Sequence, residues 1–238
     1  MNLYNLLIRK EKNIKKMSKF TKCRANIKIV VVGNSGTGKT SFCKRWISDK
    51  FDNSYQATVM SDFSYKVCEF EGNFYKVQFW DIAGADKNIY TSKVFTKDSH
   101  GCLIVADITN PDTLNKTLLW KKSIDENTRF IDGKILPSVL VLNKSDLANE
   151  NEMSNDKEME EFVKNNNFAN YFRTSCLNGN GINETVEFLL KTIIHRLEEH
   201  SKLTNTPIDN ENRTSIVIQA PVKKNDSLLT SRKCCNYI

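Results

Sequence analysis

The eight residues GNSGTGKT at 33–40 constrain this chain more than any other stretch. They satisfy G-x-x-x-x-G-K-[ST], and they stand between the apolar β-branched run 27–32 and a segment of helical period at 39–47. A glycine-rich turn in that setting points backbone N–H groups inward, and the helix that follows adds its N-terminal dipole, so the loop suits an anion. Lys39 is placed to reach terminal phosphates and the Thr40 hydroxyl to ligate Mg²⁺. Asn34, Ser35, Gly36, Thr37, Gly38 and Ser41 complete the candidate phosphate contacts. A glycine-rich turn bearing a solvent lysine is the plainer alternative, and the strand–loop–helix context disfavours it.

Around this loop, short apolar strands alternate with helical segments from about residue 26 to residue 198, the pattern of an α/β fold with a mostly parallel sheet. Strands are predicted at 27–32, 63–70, 74–82, 102–106, 139–142 and 171–174, and helices at 39–47, 113–127, 156–166 and 182–198. Pro111 and Asp112 open the second helix. Only Glu71-Gly72-Asn73 separates the second and third strands. No parallel crossover fits there, so these two form an antiparallel hairpin.

Two further motifs fall at strand ends, where open α/β sheets bind ligands. Asn143-Lys144-Ser145-Asp146 follows the fifth strand. A carboxylate at Asp146 accepts from the N1–H and exocyclic amine of guanine, whereas adenine would leave it unpaired. Trp80-Asp81-Ile82-Ala83-Gly84 closes the third strand. Asp81 then lies near the phosphate end, where it meets Mg²⁺ through a metal-bound water, and the Gly84 N–H can meet a γ-phosphate.

These three motifs, with Thr174-Ser175-Cys176, resemble the nucleotide motifs of Ras-like GTPases over residues 26–198. The resemblance implies a P-loop NTPase fold, a six-stranded mostly parallel sheet flanked by five helices, and GTP/GDP with Mg²⁺ as cofactors. It makes Thr58 the switch threonine that joins Thr40 and Asp81 at the metal. It sets Phe51 and Tyr55 beside the nucleotide, Lys144 over the base, and the Ser175-Cys176 backbone at its O6. Cys176 and Leu177 depart from the family's Ser-Ala-Lys. The catalytic set it implies is Lys39, Thr58, Gly84 and the residue after Gly84, where Ala85 replaces the usual glutamine. A methyl group cannot orient an attacking water, so slow intrinsic GTP hydrolysis is expected, with a hydrolysis-deficient GTP-bound adaptor as the alternative.

Within the superfamily the chain resembles Rab proteins of vesicle trafficking, and the details at Ile82, 85–101 and 131–137 resemble the Rab thirty-two group. That implies effectors meeting Phe63, Trp80 and Phe95, a guanine nucleotide exchange factor, a GTPase-activating protein, a prenylation escort and a GDP-dissociation inhibitor. It also implies the cytoplasmic face of an intracellular membrane, endolysosomal or phagosomal, with a soluble pool. Cys234 and Cys235 look like the Rab prenylation site, while Cys235-Asn236-Tyr237-Ile238 also reads as a box for one lipid. An ATP-dependent P-loop enzyme would explain residues 33–40 but not Asn143 to Asp146.

Charge and composition divide the rest. Residues 1–25 carry eight Lys/Arg against Glu11, matching the whole net charge of +7, and read as a basic, disordered arm; an amphipathic helix and a start at Met17 remain open. No nucleic acid is expected as a partner. Residues 26–199 form the GTP-binding domain, and the polar stretch 200–238 reads as a flexible linker to the prenylation site. Seven scattered cysteines, no secretory signal and no membrane-length apolar run suit a cytosolic chain.

Overall fold

A strand apolar along its whole length must bury both faces, and this sheet places such strands at its centre. The computed structural model describes residues 23–54, 57–84, 93–150, 153, 155–206 and 208. In chain order the elements are β1 (Ala25–Val32), α1 (Lys39–Ser48), β2 (Ser61–Phe70), β3 (Asn73–Ile82), α2 (Lys93–Thr96) and β4 (Gly101–Asp107). They continue as α3 (Pro111–Asn127), β5 (Ser138–Asn143), α4 (Asp156–Asn165), β6 (Asn170–Thr174) and α5 (Ile182–Thr204). The six strands run in the order β2-β3-β1-β4-β5-β6. Only β2 and β3 pair antiparallel; the other neighbours are parallel.

The hairpin turn is tighter than the spacing predicted. Asn73 already pairs with Phe70, so Glu71 and Gly72 alone make the turn, and both have positive φ (48° and 76°), as a two-residue turn matching the sheet twist requires. The inner strands β1, β4 and β5 carry the core residues Ile29, Val31, Leu103, Ile104, Leu140 and Val141, all fully buried. On α1, Phe42 and Trp46 pack on Phe79 of β3, with centroids 6.5 Å and 4.9 Å apart. On α5, Val186, Leu189, Leu190, Ile193, Ile194 and Leu197 recur at helical spacing and face inward.

Three sequence-based boundaries move. The helix α3 begins at Pro111 itself, where the Asn110 side chain accepts from the Asp112 N–H at 3.1 Å and caps the first turn. Ala25, assigned to the arm, is buried in β1 opposite Tyr75, and Arg24 pairs with Glu198 at 2.9 Å. The helix α5 runs on to Thr204, past the expected linker start at 200, and ends where Asn205 adopts φ 53°. The polar composition there had suggested a linker, but no proline or glycine interrupts the helix before Asn205. The four-residue α2 was too short to leave a periodic signal. No helix among the described residues is long and apolar enough to cross a membrane.

Since β1 has β3 on one side and β4 on the other, the chain leaves it in opposite directions, and a crevice opens beyond its C-terminal end. Residues 33–40 occupy that end.

Candidate functional site

Contacts around the phosphate loop leave no room for a side chain at Gly33 or Gly38. Gly38, the N-cap of α1, has φ 94°, and a Cβ there would lie 2.2 Å from Asn143 Nδ2. That amide instead donates to the Thr37 carbonyl at 2.8 Å. Asn143 Oδ1 accepts from Thr174 Oγ1 at 3.1 Å and from the Cys176 thiol at 3.3 Å. Thr37 Oγ1 and Lys39 Nζ both donate to the Asn34 carbonyl at 2.9 Å. Burial pulls the Lys39 ammonium below the ordinary lysine range, against the nearby charge of Asp81. Gly84 lies against the same loop: a Cβ there would come within 2.5 Å of Lys39 Nζ and Ser35 N.

Thr40, Thr58 and Asp81, named from sequence as metal-linked, converge. Thr40 Oγ1 donates to Asp81 Oδ2, the two threonine hydroxyls lie 2.8 Å apart, and Thr58 Oγ1 is 3.5 Å from the same carboxylate oxygen. Burial holds the Asp81 carboxyl above the usual carboxylate range, although Thr40 and Lys39 act in the other direction. Its Oδ1 is buried without a hydrogen-bond partner. Two hydroxyls and one carboxylate form an oxygen-only set suited to a hard, water-carrying cation, and the unpartnered Oδ1 is an acceptor that a metal-bound water would satisfy. The residues fit Mg²⁺.

At the other end of the crevice, Ser175 Oγ donates to Asp146 Oδ1, leaving the second carboxylate oxygen for a base. Lys144, with φ 67°, sets its ammonium 2.6 Å from Asp107 Oδ2. Burial opposes ionisation of Asp107, but hydrogen bonds from Lys144 and Thr109 hold its carboxyl below the ordinary range. A cavity of about 470 Å³ joins the two ends, lined among others by Ser41, Phe51, Asn143, Lys144, Asp146 and Leu177.

The three aromatic positions differ in exposure. Phe63 and Trp80 are direct partners across β2 and β3, with centroids 5.3 Å apart and ring planes at 66°. Phe63 is exposed, whereas Trp80 and Phe95 are half-buried against the core. Tyr55, Ala85, Cys234 and Cys235 lie outside the described residues.

Three residues escaped the sequence reading. Asp107 fixes Lys144, Trp120 Nε1 donates to Asn34 Oδ1 at 3.3 Å, and Arg45 binds the loop after β6. Only Asp107 left a signal, as a carboxylate at a strand's C-terminal end.

Comparison with known proteins agrees with this geometry. The family model described as "Ras family" matches residues 28–195. Ras-related protein Rab-32 of Mus musculus is 31% identical over 209 residues, 87% of this chain and 89% of its own length. Ras-related protein Rab-7L1 of Rattus norvegicus is 31% identical, covering 75% of this chain and 87% of its own. Ras-related protein Rab-32A of Dictyostelium discoideum is 34% identical, covering 70% and 77%.

Proposed function

The chain belongs to the Ras family, as a Rab small GTPase near the Rab-32 group, and from that premise we propose that it is a switch that recruits effectors to an intracellular membrane in vesicle trafficking and whose own GTP hydrolysis is slow. GTP, GDP and Mg²⁺ are its ligands, as they are for that family. In this reading the phosphate loop and Lys39 hold the β- and γ-phosphates, and Asp146, Lys144 and Phe51 hold the base. Thr40, Thr58 and Asp81 hold Mg²⁺, which neutralises charge on the phosphates. Thr58 and Gly84 then sense the γ-phosphate. Its loss frees the segments around 51–62 and 84–97, and with them the effector surface at Phe63, Trp80 and Phe95.

The observation that carries the slow-hydrolysis claim is Ala85, directly after Gly84, where an added Cβ would come within 2.5 Å of Lys39 Nζ and Ser35 N. Cleavage of the β–γ bond needs a water held in line with it, and a methyl group neither donates nor accepts a hydrogen bond. Losing such a contact costs on the order of a hundredfold in rate. Binding does not use that side chain. Single-turnover GTP hydrolysis by the wild type and Ala85→Gln tests the claim: a faster variant supports it, and equal rates refute it. A partner that supplies a glutamine in trans would restore cycling. A wild type that co-purifies with GTP and releases no phosphate even with such a partner would favour the adaptor reading.

Membrane attachment rests on Cys234 and Cys235. Two geranylgeranyl chains give stable anchoring where one is marginal, and Lys223, Lys224, Arg232 and Lys233 add attraction to anionic lipid. The proposed membrane is endolysosomal or phagosomal. Intact mass of the membrane-borne protein should show two prenyl additions; one or none would refute double lipidation.

A further inference from the structure

Resting on the guanine-binding reading, we propose that Arg45 is a positioning residue for base recognition, acting from behind the loop that follows β6. In that loop the carbonyls point one way. Ser175 O accepts from the Gly179 N–H at 2.8 Å, Cys176 O accepts from Arg45 Nε at 2.8 Å, and Leu177 O accepts from Arg45 Nη2. Residues 175–179 thus make one helix-like turn closed by an i to i+4 bond.

The peptide bonds are trans, so each N–H points away from the carbonyl of the preceding residue. With the carbonyls of Ser175 and Cys176 engaged on the far side, the N–H groups of Cys176 and Leu177 face the opposite way. Among the described residues neither has a hydrogen-bond partner. Cys176 and Leu177 line the cavity, while Arg45 meets them from the α1 side. The turn is also tied to Asp146 through Ser175 Oγ. On guanine the O6 acceptor is adjacent to N1–H, which a carboxylate at Asp146 accepts. The turn therefore presents backbone donors beside that carboxylate, where O6 needs them.

The guanidinium is fixed on its other edge too. Arg45 Nη1 lies 3.1 Å from Asp49 Oδ1 and 3.2 Å from Asp49 O, and its Cζ is 6.0 Å from the centre of the Phe51 ring. Its side chain is 15% exposed, and its bond from Nε to the Cys176 carbonyl is partly buried, whereas those to Leu177 and Asp49 lie at the surface. A planar fork can serve two carbonyls and a carboxylate together, which an ammonium cannot. One side chain on the phosphate-binding helix thereby sets the height of the base-reading turn.

The test measures release of GDP and of 6-thio-GDP from the full chain, for the wild type, Arg45→Ala and Arg45→Lys. The thio analogue keeps N1–H and the amine but replaces O6 with a weak acceptor. Arg45→Ala should speed GDP release on the order of tenfold, and 6-thio-GDP release by less than about threefold, since only GDP loses a strong bond. Arg45→Lys should fall between. Equal acceleration of both nucleotides, which a general loosening of the fold would give, overturns the proposal, as does no acceleration of either. If Arg45→Ala does not fold, Arg45→Lys carries the same comparison. A wild type that retains neither nucleotide would instead contradict the guanine-binding reading.

Discussion

The Asn143 side chain donates to the Thr37 carbonyl at 2.8 Å, joining residues 106 positions apart and tying the strand that leads to the base-reading motif to the phosphate loop. The same side chain accepts from Thr174 and Cys176, so three segments of the site meet on one amide. Asn143→Ala leaves the buried Thr174 hydroxyl and the Thr37 carbonyl without this partner. A loss of about 1–3 kcal/mol in unfolding free energy is expected, together with faster GDP release. Urea denaturation and a GDP-release assay check both; an unchanged release rate would mean the clamp is structural only.

Asp81 holds the metal end in a different balance, because its carboxyl is buried and one oxygen lacks a partner. Asp81→Asn keeps the shape, removes the charge and should weaken Mg²⁺ binding roughly tenfold to a hundredfold. Without metal the variant should be no less stable than the wild type, since a buried carboxylate that resists ionisation has been neutralised. Mg²⁺ titration of GDP release, with thermal melting in chelator, reads the two effects separately.

Away from the nucleotide, His100 makes stability depend on pH. Its Nδ1 accepts from the Lys28 N–H at 3.1 Å, and its ring packs edge-on against Phe130. Burial, aided by the Lys28 charge and opposed by Asp98, lowers its pKa to about 4. An unfolded histidine titrates near 6.5, so the unfolded chain takes up the proton first. The stability that neutral His100 supports is complete above about pH 6.5 and is lost as pH falls toward 4. Wild type should lose about 2–3 kcal/mol more than His100→Asn between about pH 7 and about pH 4.5, measured as urea unfolding free energies. Parallel losses in both proteins would assign the effect to carboxylates instead.

The parts of this site that were legible in the sequence are those whose chemistry is local. Residues 33–40 carry the turn glycines, the lysine and the metal hydroxyl in one run, and Asn143, Lys144 and Asp146 sit together after one strand. Their placement around one crevice followed from the strand alternation. Arg45 and Trp120 were not legible, because their partners lie 131 and 86 residues away and an arginine or tryptophan on a helix has many ordinary uses. The polar composition after residue 199 reads as a linker, yet α5 continues to Thr204 because no proline or glycine stops it.

The central claim is a guanine-specific, Mg²⁺-dependent nucleotide site, and competition for bound fluorescent GDP tests it most directly. Asp146 can pair with guanine but not adenine, so unlabelled GTP and GDP should displace the probe at concentrations on the order of a thousandfold or more below ATP, and chelating Mg²⁺ should speed the exchange. Displacement by ATP and GTP at equal concentrations, or release indifferent to Mg²⁺, would contradict the account.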